Sequence, residues 1–246
     1  MNQIQIMLCS LTNLFDRELW RDFLTELEQV VSSKLSHIDT NDPVRKKVES
    51  IEDAASFICD IGESENSRTI FAKFSNIKVE MTIILFRDSE NFANNISIYF
   101  PEKILDSGEG VSVLDRAFRM ANRGLQPFYS VCDRMAAISG KRKLSRFAVN
   151  LQAELIGIFW LTYLNKSYVD YFGGERFDGL PCKKIDGLDG VLIELGRTPA
   201  DVSVSREEAE RMLGEDSFVD PSRADDKPIG RYALRFDKLL KLESTV

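Results

Sequence analysis

The strongest constraint in this chain is a change of hydrophobic period. Ile77, Val79, Met81, Ile83 and Leu85 alternate with Lys78, Glu80 and Thr82. A two-residue repeat of this kind puts apolar side chains on one face of an extended strand and polar ones on the other. TIFAKF (69–74) precedes this segment across Ser75-Asn76, and NISIYF (95–100) follows it across DSENFAN. The turn residues between them predict three antiparallel strands, and IQIMLCSL (4–11) suits a fourth.

Around these strands the period is helical. Leu19, Trp20, Phe23, Leu24, Leu27, Val30 and Val31 form one stripe, with Thr12 or Asn13 as the expected cap. Asp42-Pro43 reads as a cap and first-turn proline opening a second helix through Val44, Val48, Ile51, Ala55, Ile58 and Ile61 to Gly62, with a restart at Ser50-Ile-Glu-Asp53 as the alternative. Ser112 and Asp115 begin a third, carrying Leu114, Phe118, Ala121 and Leu125. Gly124 and Pro127 interrupt it before Phe128, Val131, Cys132, Met135 and Ile138 continue the stripe. The basic run GKRKLSR (140–146) is the expected boundary. Beyond it come an aromatic helix from Gly157, a strand VLIEL (191–195), a short helix opened by Ser205 and Glu208 as a capping box and closed by Gly214, and a last segment YALRFDKLLKL. The expected fold class is α+β, an antiparallel sheet packed with helices. It is either one continuous fold or two similar-sized subdomains, 1–139 and 147–246.

Composition narrows function more than fold. With 246 residues and 43% apolar content, the chain can bury a substantial core. Its net charge of −7 repels phosphate backbones and attracts basic surfaces, so a basic protein is a better expected partner than nucleic acid. Cys9, Cys59, Cys132 and Cys182 form no CxxC pair and are expected as reduced thiols. The N-terminus lacks a basic leader region, and no segment reaches the ~18 uninterrupted apolar residues of a membrane span, so a cytoplasmic location away from the membrane is expected.

Catalytic patterns are scarce. His37 is the only histidine, read as a surface loop residue, and its solitude removes triads and multi-histidine metal sites. GEG (108–110) lacks the rest of a phosphate loop. In IDGLDGVLIELG, Asp186, Asp189 and Glu194 resemble the acidic set of a metal-dependent nuclease, but Leu195-Gly196 stands where its lysine should follow. The expectation is therefore no catalytic residues, no metal and no cofactor, with that nuclease or hydrolase as the competing reading. Two acidic stretches suit electrostatic steering of a partner instead. From Glu49 to Glu65 there is no Lys or Arg, and Glu52, Asp53, Asp60, Glu63 and Glu65 are the first candidates for a contact surface. Glu215, Asp216 and Asp220 are the second.

The most aromatic stretch is GIFWLTYLNKSYVDYFGG (157–174). Read as a helix, it is apolar almost all round, which predicts a core element containing Trp160, Tyr163, Tyr168 and Phe172. A peptide-binding groove lined by Trp160 and Tyr163, as in an adaptor, is the other reading. Trp160-Leu-Thr-Tyr163-Leu164, followed by Asp189-Gly190-Val191-Leu192-Ile193, resembles the C-terminal half of bacterial immunity proteins of the immunity protein 52 type, from polymorphic-toxin and type VI secretion loci. The chain lacks the tryptophan-rich first strand expected of that group. The resemblance implies a non-enzymatic cytoplasmic antitoxin that binds one cognate toxin, often a nuclease, and blocks it. It assigns no toxin-contacting residues and leaves open whether the free protein is a homodimer.

Overall fold

The computed structural model describes residues 2–60, 65–75, 78–143, 149–220 and 228–243. The chain divides into two compact units, one formed by Ile6–Pro127 and the other by Met1–Gln5 with Phe128–Val246. The basic run 140–146 falls inside the second unit.

The first unit holds β1 (Gln3–Ser10) from Ile6 onward, followed by α1 (Arg17–Val31), β2 (Leu35–Asp39), α2 (Ile51–Cys59), β3 (Ser67–Phe74), β4 (Glu80–Phe86), β5 (Asn94–Pro101) and α3 (Gly108–Leu125). The strand order is β2-β3-β4-β5-β1, and the β2-β3, β3-β4 and β4-β5 pairs are antiparallel. Val79, Met81, Ile83 and Leu85 are buried, as their alternation requires; Ile77 lies outside the described residues. α1 packs against α2 and α3, burying Trp20, Phe23, Leu24 and Leu27.

Several local expectations change here, each because another hydrogen-bond partner wins. α1 is capped by Asp16, whose carboxylate accepts from the Glu18 and Leu19 amides, rather than by Thr12 or Asn13. No helix starts at Pro43. The Lys46 carbonyl accepts from the Ile38 amide at 2.9 Å, and the Val48 amide donates to the Ser36 carbonyl at 3.0 Å, so this backbone is spent on β2 and cannot close a helical turn. The helix begins at the alternative point, with Ser50 accepting from the Asp53 amide. His37 accordingly sits in a strand, half-buried, with Nδ1 3.0 Å from the Ser36 hydroxyl, and not in a surface loop. α3 starts earlier than expected, at the GEG glycines, because Ser107 caps it through the Gly110 amide.

In the second unit, β6 (Tyr129–Arg134) and α4 (Met135–Lys143) are followed by β7 (Leu161–Leu164), α5 (Lys166–Phe172), β8 (Cys182–Lys183), β9 (Val191–Glu194), β10 (Gly196–Thr198), β11 (Asp201–Val202), α6 (Arg206–Leu213) and α7 (Phe236–Glu243). The order β6-β7-β9-β8 is antiparallel throughout, and β10 and β11 form a separate ribbon. Of the residues read as a continued helical stripe from Phe128, Val131 and Cys132 are therefore strand, and helix resumes only at Met135. The fold is α+β, as the change of period requires.

The aromatic stretch is corrected as well. It is an irregular segment, then β7, then α5 capped by Asn165 through the Tyr168 amide. Antiparallel pairing of Leu161–Leu164 with β6 and β9 takes this stretch out of a helix, and the four amides before it go to side chains. The Gly157 N–H donates to the Tyr129 hydroxyl (3.2 Å), Ile158 to Glu210 (3.1 Å), Phe159 to the Thr162 hydroxyl (2.8 Å) and Trp160 to Asp133 (2.9 Å). Three of these four acceptors, Tyr129, Glu210 and Asp133, come from residues far off in sequence. Trp160, Tyr163, Tyr168 and Phe172 are nonetheless all buried, at 2%, 3%, 0% and 5% exposure.

Candidate partner-binding surface

The first acidic set is built on α2. Its inner face buries Ala54, Ala55 and Ile58, which leaves Glu52 and Asp53 in the first turn and Asp60 at the C-cap exposed to solvent. Asp53 is steadied by the hydroxyl of Ser50 at 2.7 Å. Glu65 is exposed just before β3, and Glu63 lies outside the described residues. The absence of Lys and Arg between 49 and 65 in sequence does not survive folding. A cleft of about 400 Å³ is lined by Glu49, Asp53, Ser56, Phe57 and Asp60, and also by Arg17, Lys46 and Lys47. The Lys46 ammonium lies 4.2 Å from the Phe57 ring centre and the Arg68 guanidinium 4.6 Å. The sequence suggested a purely acidic patch; the surface carries both signs.

A second cleft of the same unit, about 510 Å³, is lined by residues that include Thr12, Phe15, Cys59, Phe86 and Asn94. Phe92, 52% exposed, stacks on Phe86 with centroids 5.0 Å apart. Burial pushes the Cys59 thiol up to about 11, with Arg17 opposing, so this sulfur is a neutral thiol near neutral pH.

The second acidic set lies in the other unit. Glu215 and Asp216 occupy an exposed turn after α6, and Asp220 beyond it is half-buried. The nuclease-like set is dispersed in character: Asp186 and Asp189 are exposed in the turn before β9, while Glu194 accepts from Lys183 at 2.7 Å. Among the described residues, no group of three or more His, Cys, Asp or Glu is placed to hold a metal ion.

The aromatics do not form an open groove. The Trp160 indole donates to the Gly196 carbonyl at 2.9 Å. Burial pushes the Tyr163 hydroxyl up to about 12, against a hydrogen bond from the Gly190 backbone. Tyr168 stacks near Phe128 and Phe172 near Phe218.

Sequence reasoning missed the two carboxylates on which the second unit is organised. Asp133 is fully buried at the end of β6. It accepts from the Trp160 amide and from Arg206, whose Nη2 is 2.7 Å away. Glu210, 8% exposed on the inner side of α6, accepts from the Ile158 amide and from the Lys141 ammonium at 2.7 Å. Desolvation raises the Glu210 carboxyl above the ordinary glutamate value, and the contacts with Lys141 and Ile158 oppose that rise. A Cβ at Gly157 would lie 2.7 Å from Glu210 Oε1, so only glycine lets the carboxylate come this close. Two signals were readable: Glu210 neighbours Ala209 and precedes Leu213 on the apolar side of a helix, and Asp133 is the penultimate residue of an otherwise buried strand.

No family model matches this chain, and no curated protein matches it in sequence. Among solved structures, the chain is similar to one described as the Pseudomonas aeruginosa T6SS protein PA0821, with 14% identity and a TM-score of 0.61 over 98% of this chain and 82% of that one. At this identity the likeness establishes a shared fold.

Proposed function

We propose that this chain is an immunity protein that binds and neutralises a cognate secreted bacterial toxin by stoichiometric contact. The observation that carries the reading is the fold shared with a T6SS protein across nearly the whole chain. The resemblance of Trp160-Leu-Thr-Tyr163-Leu164 and Asp189-Gly190-Val191-Leu192-Ile193 to the immunity protein 52 type points to the same class of locus. A toxin whose active cleft is basic, as in a nuclease, matches the net charge of −7 and the exposed carboxylates of α2.

The test is to co-express the chain with the secreted proteins encoded beside it. One of them is expected to arrest growth alone, to be harmless with this chain, and to co-purify with it in a fixed ratio. If none of the neighbouring products binds the purified chain and none is neutralised by it, the reading falls.

A further inference from the structure

We propose that α6 is a strap that opens from the second unit as one piece, hinged at Gly214, and is held shut by its ion pairs. Its apolar attachment is small: the helix buries the side chains of Ala209 and Leu213. The rest of its hold is polar. Arg206 reaches Asp133 at 2.7 Å, and Glu210 meets the Lys141 ammonium at 2.7 Å and the Ile158 amide at 3.1 Å. The Leu213 carbonyl accepts from Arg176. The side chains of Arg206 and Lys141 are 30% and 23% exposed, so both pairs border on water.

The polarity of the two pairs lowers the cost of separating them. α6 contributes one cation and one carboxylate, and the surface beneath it contributes the carboxylate of Asp133 and the cation of Lys141. Each face is therefore neutral by itself. Arg206 and Glu210 lie four residues apart on the helix and can turn to each other once it lifts. Two cations on one face would instead leave like charges together on both sides of the opened joint. Asp133 stays on β6, where it accepts from the Trp160 and Arg134 amides. Opening thus takes the acceptor from one amide of the covered segment, that of Ile158. Both ends of the strap are anchored outside it. The Ser203 amide donates to the Leu195 carbonyl at 2.7 Å, and Leu155 is bonded to Ser217 and Val219 at 2.8 and 3.0 Å. Between α6 and the second anchor, Gly214 has φ +116°, a backbone conformation that glycine adopts readily.

Native-state hydrogen exchange of the full chain at low urea tests this. A helix of this length does not persist once undocked, so its amides are exposed in the same event. The Ile158, Ala209 and Gly214 amides are expected to share one opening and to exchange at least about tenfold faster than those of Trp160 and Val219. Lys141→Gln, which leaves Glu210 without its cation in the closed state, is expected to speed the first three by about tenfold and leave the other two unchanged. Exchange of Ile158 at the rate of Trp160 would overturn the strap, since α6 would then leave only with the whole unit. Fast exchange at Ile158 beside slow exchange at Ala209 and Gly214 would overturn it too, by confining the movement to the covered segment. An equal effect of Lys141→Gln on all five amides would show that the ion pair does not hold the strap. Should that variant fail to fold, the pattern in the native chain decides.

Discussion

The two units place the same chemistry in opposite settings. In the second, carboxylates meet cations inside the protein: Asp133 with Arg206 and Glu210 with Lys141. In the first, carboxylates and cations line one cleft at the surface, and among the described residues none of them pairs with another. The difference lies in what else needs each group. Asp133 and Glu210 also accept from the backbone amides of Trp160 and Ile158, in a segment with no secondary structure to satisfy them. Unpaired, those donors would carry the full cost of burial. Around α2 the helix and the strand-like segment satisfy their own backbone, so the exposed carboxylates Glu52 and Asp60 are not drawn into holding it. An acidic residue's role here follows from the state of the nearby backbone more than from the local density of charge.

Substitutions at the two places should separate these roles. The largest effect is expected from Asp133→Ala, which leaves the Trp160 amide and the Arg206 guanidinium without their acceptor. Loss of about 3 kcal/mol or more in urea unfolding is expected, and a loss under about 1 kcal/mol would mean the buried pair is not the organiser of this segment. Glu210→Gln keeps an acceptor for Ile158 and removes, together with the contact to Lys141, a charge that desolvation disfavours, so a loss of under about 1 kcal/mol is expected near neutral pH.

Glu210 also gives a signed pH test. Its carboxyl is raised in the folded protein, chiefly by desolvation, so folding favours the protonated form. That contribution to stability is fully present below the ordinary glutamate value of 4.5 and is lost as pH rises through the raised folded value. The stability of the native chain minus that of Glu210→Gln should therefore fall with rising pH across that window. A flat difference would show that Lys141 and Ile158 cancel the desolvation.

Smaller effects are expected around α2. Ser50→Ala removes the cap of the helix and should lower stability by about 1 kcal/mol, read from the denaturation midpoint. Glu52→Lys, at an exposed position, should change stability by no more than about 0.5 kcal/mol, and under the proposed immunity function it should weaken binding of the toxin most at low salt. If Glu52→Lys destabilises as much as Asp133→Ala, the contrast between the two settings fails.

The parts of the fold that read well in the sequence are those whose period is set by a single buried face. The alternation from Val79 to Leu85 and the stripe of Trp20, Phe23, Leu24 and Leu27 each gave the correct element, because a slip would turn the whole apolar set to water. The errors at 43–48, 128–134 and 157–164 share a cause. In each, backbone groups pair with partners distant in sequence: Lys46 and Val48 with β2, Cys132 with Leu161, and Ile158 with Glu210. Apolar runs buried on every side carry no period that distinguishes strand from helix. The surface was legible only as one-dimensional charge. Glu52, Asp53 and Asp60 were visible, but Arg17 and Lys46 reach the same cleft from other elements.

The sequence by itself determined the class of fold, most of the elements of the first unit and the burial of Trp160, Tyr163, Tyr168 and Phe172, because hydrophobic burial follows patterning over short stretches. Only the tertiary structure decided that Asp133 and Glu210 hold the backbone from Ile158 to Trp160, and that the acidic run of α2 shares its cleft with cations. Hydrogen bonds and charge juxtaposition depend on distances in space between groups far apart in the chain, and local spacing carries no record of those distances.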